Sequence, residues 1–162
     1  IQASTDWTSG GSAGRVILST DTLTLDSEPD TQLFPAFVNA GSYEQSLGDA
    51  GSIEINAGSL NLLNGSWLSA MSDGNGDAGT ISIRADTVLL EGTHERVLTG
   101  KVEGSFIDAN TTGAGGGGTI DIKAGSVDIR TDGHITAGSW GPGDAGTIRL
   151  EATDSVSISS AT

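Results

Sequence analysis

The stretch DAGTISIR, residues 77–84, decides the fold, because it returns almost unchanged along the chain. Its counterparts are SAGRVILS at 12–19, DAGSIEIN at 49–56, GGGTIDIK at 116–123 and DAGTIRLE at 144–151, and the five align without gaps. The shared glycines Gly14, Gly51, Gly79, Gly118 and Gly146 are spaced 37, 28, 39 and 28 residues apart. That reads as a unit of roughly 28 residues with extra residues in alternate copies. The extras, at 26–36 and 91–105, are two insertions that leave the unit at the same corner, two units apart.

Each unit holds three short alternating stretches, and a period of two marks a strand with one buried face. In the first, the inward columns are Val16, Ile53, Ile81, Ile120, Ile148 and Leu18, Ile55, Ile83, Ile122, Leu150. Between them Ile17, Glu54, Ser82, Asp121 and Arg149 vary freely, as solvent-facing positions do. The second contributes Leu23, Leu60, Val88, Val127, Val156 and Leu25, Leu62, Leu90, Ile129, Ile158. The third reads FVNA, WLSA, FIDA and HITA, with inward Val38, Leu68, Ile107 and Ile135, and the opening IQA is its partial counterpart. Equivalent positions carrying the same inward type must lie above one another. The sequence therefore predicts an all-β fold, a right-handed parallel β-helix of about five coils filling residues 1–162 as a single segment. Five rungs at roughly 4.8 Å give a rod on the order of 24 Å. A β-sandwich or barrel would not produce near-identical repeats, and a helical solenoid would not show a period of two.

Composition narrows the function. The chain carries 25 Gly, 20 Ser and 18 Thr, and its net charge is −14, which repels phosphate backbones and anionic lipid surfaces. Nucleic acid is excluded as a partner. No apolar run approaches the roughly 18 to 20 residues of a membrane-spanning helix, so no membrane insertion is expected. The absence of Cys excludes disulfide scaffolds and thiolate chemistry.

GDAGTISIRADTVLL (76–90) and GDAGTIRLEATDSVSIS (143–159) resemble the repeats of filamentous-haemagglutinin-like exoproteins, especially the large repetitive versions of cyanobacteria. The resemblance covers nearly all five units. It implies a long right-handed β-helix, export through a dedicated outer-membrane transporter, and service as an adhesin or extracellular filament. The family's amino-terminal export domain is missing here. The chain opens at Ile1 inside a repeat, which reads as a mature product or a fragment. It starts at the third stretch of one coil and stops just after the second of another, so either neighbouring coils or a head-to-tail copy of the chain could continue the spiral.

Three features are candidate sites. Phe37, Trp67, Phe106 and His134 form a column on the outer face of the third stretch, which is either a flat strip that stacks on sugars or a neighbouring filament, or a structural aromatic ladder. The insertion EGTHERVLTGKVEGS brings His94, Arg96 and Lys101 into the densest charge of the chain, as a recognition loop or a solvated face. The GDAG turns carry Asp49, Asp77 and Asp144, which suit turn capping better than calcium, because two of five copies hold Ser12 or Gly116 instead. No cofactor, metal site or catalytic residue is expected: the outward charges are scattered and neither histidine lies in a nucleophile or metal motif. The reading is a non-catalytic structural segment of a secreted surface or extracellular protein, touching neighbouring coils, its own copies or cell-surface glycans. The alternative is a polysaccharide lyase or hydrolase on the same scaffold.

Overall fold

A computed structural model describes residues 1–5, 10–27, 35–43, 46–96 and 100–160, and most of the first insertion lies outside them. The described residues contain no helix. Five long strands, β1 (Arg15–Asp26), β3 (Ser52–Leu63), β5 (Thr80–Glu91), β9 (Thr119–Arg130) and β11 (Thr147–Ser159), form one parallel sheet in the order β1-β3-β5-β9-β11. Four three-residue strands, β2 (Phe37–Asn39), β4 (Trp67–Ser69), β8 (Phe106–Asp108) and β10 (His134–Thr136), form a second parallel sheet in the order β10-β8-β4-β2. A short antiparallel pair, β6 (Thr93–Arg96) and β7 (Lys101–Gly104), makes up the second insertion. The chain thus alternates between the two parallel sheets, each return adding a strand beside the previous one of its kind.

Register follows the repeat residue for residue. Val16 pairs with Ile53, Ile53 with Ile81, Ile81 with Ile120 and Ile120 with Ile148. In the short sheet Val38, Leu68, Ile107 and Ile135 are likewise successive partners. The inner members of these columns are fully buried and belong to one apolar cluster with Ala40, Ala70 and Ala109. Within a coil the two sheets are tied by a repeated bond: the N–H groups of Gly51, Gly79, Gly118 and Gly146 donate to the carbonyls of Ala40, Ala70, Ala109 and Ala137 at 2.7–2.8 Å. A fourth column of isolated parallel bridges, Thr5, Ser42, Ser72, Thr111 and Ser139, stacks hydroxyl residues in the returning segment.

One expectation is corrected. The first and second stretches of each unit are not separate strands but one continuous strand of 12 or 13 residues. Ile53, Ile55, Leu60 and Leu62 are all buried, although strict alternation would send Ile55 and Leu60 to opposite faces. The strand resolves this by turning at Ala57–Gly58, where pairing skips Asp21 opposite Gly58 and Asp86 opposite Gly125. In β11 the same corner holds one extra residue, seen as a bulge between Ala152 and Ser155.

Between long and short strands the chain makes a tight turn through residues with positive φ, Asn64 and Gly65 in one coil and Thr131 and Asp132 in another. In the intervening coil the β6–β7 hairpin occupies that corner. Its base is held from both sides: a β-carbon on Gly65 would lie 2.4 Å from the His94 Cβ, and one on Gly104 would lie 2.1 Å from the Asp132 carbonyl oxygen.

Candidate functional site

The aromatic column forms as its spacing predicts, and its geometry decides what it can present. Phe37 and Trp67 stack with centroids 4.5 Å apart and planes 7° apart, Trp67 and Phe106 at 5.8 Å and 5°, and Phe106 and His134 at 5.3 Å and 14°. The ring faces are turned toward one another along the strand-to-strand direction, so Trp67 and Phe106 offer edges rather than faces to solvent. That is a ladder, each pair contributing about 0.5–1.5 kcal/mol. Phe37, Trp67 and Phe106 are half-buried and His134 is exposed. His134 Nδ1 sits 3.0 Å from the Asp132 carbonyl, a contact that requires the proton on Nδ1.

The charged insertion divides differently from expectation. His94 is only 3% exposed, with no hydrogen-bond partner on either ring nitrogen, so it belongs to the hairpin's underside and not to an interaction surface. Its placement follows from the hairpin lying down on the Asn64–Gly65 corner. Lys101 is exposed and forms an ion pair with Glu103 at 2.8 Å. Arg96 pairs with Lys101 across the hairpin backbone, while its side chain lies outside the described residues.

The acidic turns act between coils. Asp49 Oδ1 accepts a bond from the Asp77 N–H at 2.9 Å, and Asp77 Oδ1 accepts from the Gly116 N–H at 2.7 Å. Each carboxylate thus satisfies a backbone donor in the following coil rather than in its own turn. Among the described residues no three His, Asp or Glu side chains converge as a metal would need.

A site that the sequence did not announce lies beside the aromatic ladder. Two residues along each short strand runs a second outward column, Asn39, Ser69, Asp108 and Thr136, in direct register. At its Asp108–Thr136 end it floors a cavity of about 450 Å³, walled by the hairpin strand β7 on one side and by Trp140 on the other. At its Asn39–Ser69 end it floors a smaller cavity of about 200 Å³ beside Tyr43 and Met71. Asp108 is 7% exposed, and one carboxylate oxygen, Oδ1, has no hydrogen-bond partner. Burial pushes its carboxyl up to about 6, against the hydrogen bond from Ser69 and the neighbouring His134, which pull it down. Asn110 is fixed above it, donating to Thr136 Oγ1 at 2.8 Å and accepting from the Gly138 N–H at 2.6 Å. Trp140 is 75% exposed, its backbone N–H anchored to the Thr111 carbonyl one coil away.

No protein-family model, no curated protein and no solved structure matches this chain.

Proposed function

We propose that the chain is a segment of right-handed parallel β-helix serving as a non-catalytic structural part of a secreted cell-surface or extracellular filament or adhesin. The observation that carries this reading is the unbroken column Val16–Ile53–Ile81–Ile120–Ile148, which runs through five successive long strands while a parallel column crosses the short sheet. Right-handed winding follows from the general preference of parallel connections. The outward positions of the long strands are mostly small, polar or charged, as an extended spacer in water requires. The apolar columns emerge at β11, where Ile148, Val156 and Ile158 are exposed although their internal counterparts are buried. A neighbouring coil or a head-to-tail copy of the chain fits there, adding a strand to the open edge.

Localisation is the test. Antibodies raised against the purified chain should label intact, unpermeabilised producing cells or the material they shed; labelling confined to permeabilised cells would overturn the proposal. A second reading, a polysaccharide lyase or hydrolase, draws on the raised carboxyl of Asp108. It requires that the purified chain release new chain ends from a polysaccharide, whereas the structural reading predicts none.

A further inference from the structure

The groove between Trp140 and the β6–β7 hairpin has features that an inert spacer does not need, and they hold whether or not the chain is part of a filament. We propose that this groove is a binding site for a neutral oligosaccharide, with Trp140 as the stacking platform and Asp108, Asn110 and Thr136 as the polar floor.

Trp140 is the most exposed large apolar side chain among the described residues, and leaving an indole in water forgoes about 1.5–3 kcal/mol of burial. Its ring, like that of Tyr43, takes no part in the ladder. The cavity it borders, about 450 Å³, falls within the range of small-molecule sites, and Asp108 and Thr136 in its floor are paired residues of the adjacent strands β8 and β10. Within that floor the Asn110 amide is bonded to Thr136, Asp108 and the Gly138 N–H and holds those two side chains in place, which leaves the Thr136 hydroxyl to donate and the Asp108 carboxylate to accept. A sugar ring uses this combination: its C–H face packs on an aromatic plane while its hydroxyls act as donors and acceptors.

Charge selects against an acidic glycan. The chain carries a net charge of −14, Asp108 and Glu103 line the groove, and Lys101, its one lysine, is paired with Glu103. The floor column continues through Ser69 to Asn39 into the second cavity beside Tyr43, so four rungs give a track of about 14 Å along the rod. A linear oligomer of more than one residue fits that track better than a single sugar.

The intact chain can be tested on a printed array of neutral and uronate-containing or sulfated oligosaccharides, followed by calorimetry with the best hexasaccharide. The expected result is retention of a neutral glycan, with affinity falling at least tenfold in Trp140→Ala and in Asp108→Ala while the melting temperature of Trp140→Ala stays within a few degrees of the parent. Retention of no neutral glycan, stronger retention of the anionic ones, or unchanged affinity in Trp140→Ala would each overturn the proposal. Cleavage of the bound glycan would leave the site standing and overturn the non-catalytic reading instead.

Discussion

The carbonyl oxygen of Gly51 lies 1.9 Å from the point that a β-carbon on Gly79 would occupy. The relation repeats up the stack, at 1.8 Å for Gly51 against Gly14, 2.0 Å for Gly118 against Gly79 and 1.9 Å for Gly146 against Gly118. Glycine recurs there because the coil below fills the space of a side chain, and the obstacle is backbone that cannot swing aside. Gly79→Ala should therefore destabilise by about 2–3 kcal/mol in urea unfolding. Gly14→Ala, whose new carbon would meet only the Ala3 side chain and carbonyl at 3.3 and 3.5 Å, should change stability by less than about 1 kcal/mol.

The apolar columns make a graded prediction. Ile81 is fully buried between Ile53 and Ile120, and Ile81→Ala should cost about 2–5 kcal/mol. Ile158, 74% exposed at the free edge of β11, should lose less than about 0.5 kcal/mol on the same truncation. Equal costs for the two variants, measured by denaturant titration, would contradict the assigned core.

Position in the aromatic ladder sets a second grading. Trp67 stacks on both sides and Phe37 on one. Trp67→Ala should forfeit two stacking contacts, about 1–3 kcal/mol, and Phe37→Ala one, about 0.5–1.5 kcal/mol, in addition to the lost burial. Thermal and urea unfolding of both variants would show whether that order holds.

Asp108 should give stability an unusual acid preference. Its carboxyl, raised to about 6 in the folded chain, binds a proton more readily there than in the unfolded chain, at 3.8. Its contribution is therefore fully present below pH 3.8 and is lost as the pH rises through 6, by about 3 kcal/mol for a shift of this size. Glu54, hydrogen-bonded to Arg15, and Glu151, hydrogen-bonded to Arg149, are held below the usual range and work in the opposite sense at lower pH, weakly because they face solvent. Asp108→Asn should raise the melting temperature at pH 8 and flatten its dependence between pH 4 and 7. An unchanged melting temperature at pH 8 would show that the carboxyl carries no burial penalty.

The repeat made the stack legible, because each inward position is repeated by an aliphatic in every coil and an error in one copy is corrected by the next. The aromatic ladder was legible for the same reason. The long strands read as two pieces since the phase of alternation slips at Ala57–Gly58, and a slip in sequence looks like a break in structure. The groove could not be read because its residues do not repeat: Asn39, Ser69, Asp108 and Thr136 share a column but not a chemistry, and Trp140 occurs once. His94 was misplaced because charge density suggested an exposed loop, while the hairpin lies with one face on the Asn64–Gly65 corner.

The stacked register can be measured directly, since the chain has no cysteine to interfere. Ser82 and Asp121 are direct partners on adjacent strands and face outward, whereas Glu54 and Asp121 sit two strands apart. Neighbouring parallel strands at about 4.8 Å place paired residues within disulfide reach, and a second strand spacing does not. Oxidation of the Ser82→Cys/Asp121→Cys variant should close a disulfide within one chain, and the Glu54→Cys/Asp121→Cys variant should not. Failure of the first pair to close, or equal closure of the second, would contradict the stacked parallel coils on which the whole account depends.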